Sequence, residues 1–222
     1  KVFGQYVPRP NWNLRWDGIE KLVGIGGVVD RMSLEHSYSS SFRRDFRGDI
    51  HGGEQTDVER VQYGFAPLLG VNATLKEVLK GNMTGVLRYS TTTSYDLNLA
   101  GLNIVETGTQ EMSVSLTYSR RGFKFPLFGL SLTNDLDLSV TFSRAKNSRR
   151  SYDPILLSLS QDGIPIEGST RMNLEPRIHY VLSMRVSAAL FYRLTKIAPD
   201  DQGSPIPGTT TNEAGVDIHI TI

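Results

Sequence analysis

The sequence has no cysteine. That excludes disulfide frameworks, thiolate zinc sites, iron–sulfur centres and cysteine nucleophiles. It has almost no net charge: 24 basic against 23 acidic side chains leave +1, so there is neither a basic field for nucleic acid nor an acidic tail. It also has no long apolar run. The best stretches, Val23–Val29 and Val186–Tyr192, fall far short of the roughly 18 residues that mark a membrane-spanning helix. This excludes helical insertion only, because barrel strands are short and half polar. Nor is there an initiating Met. Lys1 opens the chain with no charged-then-apolar leader behind it, and we expect either that processing removed a leader or that this is a piece of a longer protein. The 222 residues present are enough for one large domain or two small ones.

What is there is period two. Leu130, Leu132, Leu136, Leu138, Val140 and Phe142 share one parity, while Ser131, Thr133, Asp135, Asp137, Ser139 and Thr141 share the other. A helix would scatter these apolar residues around its circumference, whereas a strand lines them on one face. The same alternation recurs in Met112–Tyr118, Met172–Tyr180, Met184–Leu194 and Val216–Ile222, and more loosely in Leu34–Phe46, Phe65–Leu75 and Leu87–Leu97. The pattern predicts an all-β, antiparallel fold of about eight strands, several of about 11–14 residues, longer than the common globular strand.

The expected connections alternate in length. Short ones fall near Glu77–Gly81, Gly122–Gly129 and Leu182–Met184, and long ones at Arg47–Glu59, Ala100–Gly108, Lys146–Gly168 and Ile197–Thr211. Long strands with one apolar face, and connections sorted by length between two ends, are the pattern of a transmembrane β-barrel wall. Residues 1–30 read differently, as an irregular aromatic and Pro-rich segment at one rim or in the lumen, with one helical turn at Ile19–Leu22. Residues 31–222 read as the wall.

Chemistry-bearing motifs are weak. Gly24-Ile25-Gly26-Gly27 lacks the third glycine of a dinucleotide loop, where Val29 stands, and reads as a connector. His36, His51, His179 and His219 show no metal-ligand spacing, and His36, His179 and His219 are expected on polar strand faces. Asp135 and Asp137 read as a hydrated wall rather than an acid–base pair. No catalytic, cofactor or metal residues are assigned. The pairs Arg43-Arg44, Arg120-Arg121 and Arg149-Arg150 are divided between anionic-headgroup contacts and ordinary loop charge. Tyr118, Phe123, Phe125 and Phe128, with Tyr180 and Tyr192, are candidates for an interfacial aromatic girdle. Pro176, inside an expected strand, predicts a bulge or a sheet edge.

Several stretches, in order, resemble one family. Pro8-Arg9-Pro10-Asn11-Trp12 followed by Asp17-Gly18, then Phe65-Ala66-Pro67-Leu68-Leu69-Gly70, then Phe123-Lys124-Phe125-Pro126 with Asn134-Asp135-Leu136, then Glu175-Pro176-Arg177 and Asn212-Glu213-Ala214-Gly215, are similar to the C-terminal region of the SprA family. These are outer-membrane translocons of gliding motility and type IX secretion. The resemblance implies one sector of a barrel of about 36 strands that conducts folded cargo proteins across the bacterial outer membrane. It also implies contact with outer-membrane lipid, with the remaining strands of the parent chain, and with plug and PorV-type barrel partners. The alternatives are a stand-alone eight-stranded barrel with an adhesive or structural role, an enzyme barrel, and a soluble β-sandwich.

Overall fold

The computed structural model describes residues 10–48, 54–98, 103–127, 130–152, 163–200 and 205–221. Among the described residues nine strands follow one another in a single sheet whose spatial order is their chain order. They are β1 (Trp12–Asp17), β2 (Val29–Gly48), β3 (Glu54–Val78), β4 (Gly81–Asn98), β5 (Asn103–Leu127), β6 (Leu130–Tyr152), β7 (Ile164–Ser183), β8 (Val186–Pro199) and β9 (Thr209–Ile220), with one helical turn, α1 (Ile19–Leu22), between β1 and β2. Every neighbouring pair is antiparallel. The all-β antiparallel expectation therefore holds, and so does the helical turn.

The sheet is open. Its ends, β1 and β9, lie at opposite edges of the strand order and do not pair. This corrects the closed barrel of the stand-alone alternative. The strand count is nine rather than eight, because Trp12–Asp17 lies in the segment read as irregular and pairs with β2 from Trp12↔Tyr38 to Asp17↔Ser33. Trp12, Leu14 and Trp16 alternate with Asn13, Arg15 and Asp17. That alternation follows directly on prolines upstream, a composition that by itself indicates a loop.

The strands also exceed the expected length. β3 and β5 run 25 residues and β6 runs 23. The stretches assigned to long connections at Arg47–Glu59, Ala100–Gly108 and Lys146–Gly168 are largely strand. Ser, Thr and Asn hydrate well on both sides of a ladder, and the backbone pairing needs no apolar side chain. The sorting of connections survives this correction. From β2 onward, consecutive strands are separated by five residues (49–53), two (79–80), four (99–102), two (128–129), eleven (153–163), two (184–185) and nine (200–208).

Register sets the faces. One row runs Val71, Leu87, Val114, Phe142, Leu174 and Leu194 across β3 to β8, and another runs Leu75, Met83, Tyr118, Leu138, Ile178, Leu190 and Val216 across β3 to β9. Successive residues point to opposite faces, so these rows form one apolar band. The other face carries rows such as Ser33, Asn72, Val86, Ser115, Thr141 and Glu175. No second layer covers the band among the described residues. Leu116, Val140, Ile178, Leu190, Val216 and Ile218 are all exposed, and among the described residues Val61 alone has a fully buried large side chain.

Two prolines are accommodated differently. Around Ala66–Pro67, a cis peptide, the pairing of β3 with both β2 and β4 shifts register between Phe65 and Leu69-Gly70. Pro176 produces neither a bulge nor an edge. It pairs with Val140, and beside it the ladder to β8 lapses between Leu174↔Leu194 and Arg177↔Phe191 with the register unchanged. A proline has no N–H to donate, and one missing ladder bond on one side does not force an extra residue.

Candidate functional site

The two faces are the functional surfaces, and they differ in chemistry. On the apolar face Phe123, Leu136, Leu138, Ile178, Tyr180 and Leu190 line a shallow concavity of about 460 Å³. On the polar face several charges are neutralised locally. Arg15 and Arg88 both approach Glu35, at 3.9 and 3.2 Å. Arg193 bridges Glu175 at 2.9 Å and Glu213 at 3.2 Å. Arg177 meets Asp217 at 3.1 Å, Arg60 pairs with Asp96, and Asp137 lies 3.4 Å from His179. Between the charges run amide and hydroxyl contacts, Asn72 to Ser33 and Asn173 to Ser143. A trough of about 380 Å³ on this face is lined by Ser113, Ser115, Thr141, Asn173, Glu175 and Arg193. Such a surface binds water broadly and offers no concentrated charge to an ion or a protein. Among the described residues no three His, Asp or Glu side chains converge on a metal position.

Two of the stretches that carry the resemblance, Asn11-Trp12 with Asp17-Gly18 and Phe65–Gly70, come near one another at the β1 edge, while the others lie on β5 to β9. The Trp12 ring stacks on Tyr38 with centroids 4.5 Å apart, and Phe65 tilts against Tyr38 at 5.0 Å and against His36 at 5.3 Å. The Asn11 side-chain carbonyl accepts the Ser40 N–H at 2.7 Å. His36 lies 2.7 Å through Nδ1 from the Leu68 carbonyl, beside the Ala66–Pro67 irregularity. Gly70 lets the chain pass Glu35 and Pro67, since a Cβ there would sit 3.1 Å from the Glu35 side chain and 3.2 Å from the Pro67 ring. Asp17 pairs with Arg15 at 3.2 Å, and Gly18, at φ 84°, donates its N–H to Met32 O as the chain turns into α1. Pro10 is exposed just before β1.

His36 is a correction. It shares a parity with Leu34 and Tyr38 and pairs with Leu14, so it lies on the apolar face rather than the polar one. Its ring satisfies itself on a backbone carbonyl left by the β3 irregularity. The arginine pairs follow the same pleat. Adjacent strand residues point to opposite faces, so a pair cannot present two cations to one surface. Arg43 pairs with Asp45 and Arg44 with Glu59, both at 2.8 Å, while Arg120 sits over the Phe123 ring.

The girdle candidates separate. The Tyr118 hydroxyl donates to the Leu79 carbonyl at 3.1 Å, and that of Tyr180 to the Phe123 carbonyl at 3.2 Å, so Tyr118, Phe123 and Tyr180 gather toward the two-residue connections. Tyr192 lies deeper along its strand and donates to Asn212 at 3.0 Å. Phe125 pairs through its backbone with Leu132, and Phe128 lies outside the described residues. At the opposite end, beyond the apolar rows, the Tyr152 hydroxyl donates to Glu106 at 2.7 Å. Desolvation first, and then this hydrogen bond, raise its pKa above the usual tyrosine value.

No family model matches the chain, and no curated protein matches it.

Proposed function

We propose that this chain is a sector of an outer-membrane β-barrel wall belonging to a protein-secretion translocon, as in type IX secretion and gliding motility. The observation that carries the membrane half of this reading is the uncovered apolar band. A single-layer sheet that shows several contiguous rows of Leu, Val, Ile and Met to water would be an aggregation surface, whereas hydrocarbon is a good solvent for it. The ion-paired Ser/Thr/Asn face supports a hydrated lumen. Connections sorted by length support a wall with a turn side and a loop side. The unpaired edges support the need for further strands, because every open N–H and C=O in hydrocarbon costs several kcal/mol. The translocon half rests on the ordered residue resemblance. Under it the sector acts without covalent chemistry: it seals the bilayer and gives folded cargo a wet wall whose charges are already paired. Plug and PorV-type partners enter by the same resemblance.

The test has two arms. After fractionation, the full-length protein should stay with outer membranes through alkaline carbonate and be released by detergent; release by carbonate alone rejects the membrane reading. Depleting the protein should abolish cell-surface arrival of secreted cargo while leaving other outer-membrane proteins in place. Normal cargo export would reject the translocon and leave the wall.

A further inference from the structure

At the loop-side border of the apolar band, the row Met112, Arg144, Met172, Lys196 crosses β5 to β8 on the apolar face. Arg144 and Lys196 flank Met172 from the two neighbouring strands, which places their backbones about 10 Å apart. Both are exposed. The polar face neutralises Arg15, Arg60, Arg88, Arg177 and Arg193 with carboxylates, but neither Arg144 nor Lys196 has an acidic partner among the described residues. The nearest cation in the next row, Lys146, is already held by Asp200 at 3.2 Å. One row into the band lie Phe142, Leu174 and Leu194.

We propose that Arg144 and Lys196 form a binding site for a lipid whose phosphate-bearing headgroup carries a net negative charge. Phosphate oxygens would sit between the guanidinium and the ammonium, and an acyl chain would lie along Phe142, Leu174 and Leu194. This inference rests on the apolar face meeting lipid. Charge complementarity selects the occupant: two cations without carboxylates, at the edge of an apolar strip, match an anion that carries its own hydrocarbon. A zwitterionic headgroup leaves no net charge to balance the pair.

The test places a photo-cross-linking residue at Met172 of the full-length protein, exchanged into bilayer discs of phosphatidylcholine with a minor fraction of phosphatidylglycerol or lipid A. Adducts are identified by mass. Phosphatidylglycerol or lipid A should be captured well above its share of the bilayer. R144Q and K196Q should each reduce that enrichment by up to about fivefold, the factor for one cation near an anionic surface. R144K with K196R should keep it, and R171Q, the neighbouring cation on the opposite face, should leave it unchanged. Capture in proportion to bilayer composition overturns the site, as does an equal loss with R171Q. Loss of the enrichment on adding inorganic phosphate would assign the cations to a free anion instead. Absence of any lipid adduct would reject the membrane reading itself, a result distinct from unselective lipid capture.

Discussion

Glu20, one residue into the helical turn after β1, is buried and accepts the backbone N–H of Met32 at 2.9 Å. β1 ends opposite Ser33, so the carboxylate takes the next donor on the β2 edge, where a longer first strand would have paired it. An unpaired buried donor costs about 1–3 kcal/mol. E20A should lower stability by that amount in denaturant titration of the membrane-extracted protein. E20Q keeps an acceptor and should lose less. Equal losses for both variants would show that the contact to Met32 is not what Glu20 contributes.

The backbones of β3 and β4 leave no room for a methyl group at Gly64. A Cβ there would meet Thr91 O at 2.4 Å and Thr92 Cα at 2.7 Å, and backbone atoms within a paired ladder cannot yield as a side chain would. G64A should destabilise by about 1–3 kcal/mol. G48A, where a Cβ meets nothing within 4 Å, should be close to neutral. Thermal unfolding of the two variants side by side checks this.

Neighbouring positions on β6 test which face meets hydrocarbon. Val140 lies in the apolar band and Ser139 on the opposite face. V140R should cost about 2–4 kcal/mol of folding free energy in lipid, and S139R much less. Equal costs would contradict the assignment of lipid and lumen.

At the first edge, Trp12 on Tyr38 should be worth about 0.5–1.5 kcal/mol beyond the area it buries. W12A should make β1 the first strand lost to limited proteolysis, with β4–β6 unaffected. W12F should restore most of the protection. Unchanged cleavage in W12A would show that β1 is held by its ladder alone.

The sequence by itself determined the strands and their two faces. Alternation is local: each side chain follows from its neighbours two positions away, so Leu136–Phe142 or Val216–Ile220 can be read without any partner. The same rule gives β1 and the apolar placement of His36, since Trp12, Leu14 and Trp16 alternate with polar residues and His36 shares the parity of Leu34 and Tyr38, whatever the nearby prolines and the polarity of imidazole suggest. Other features were decided only by tertiary structure, because they depend on register, and register joins residues far apart in the chain. Trp12 and Phe65 pack on the same Tyr38 from either side of β2, Asn11 finds Ser40, and Arg144 comes beside Lys196 because Met172 stands between them on β7. The adjacent arginines are split by the pleat, while two cations 52 residues apart in sequence share one row. Whether nine strands close on themselves is likewise set by twist and shear summed over the whole sheet. No single strand records that sum, and here it leaves β1 and β9 unjoined.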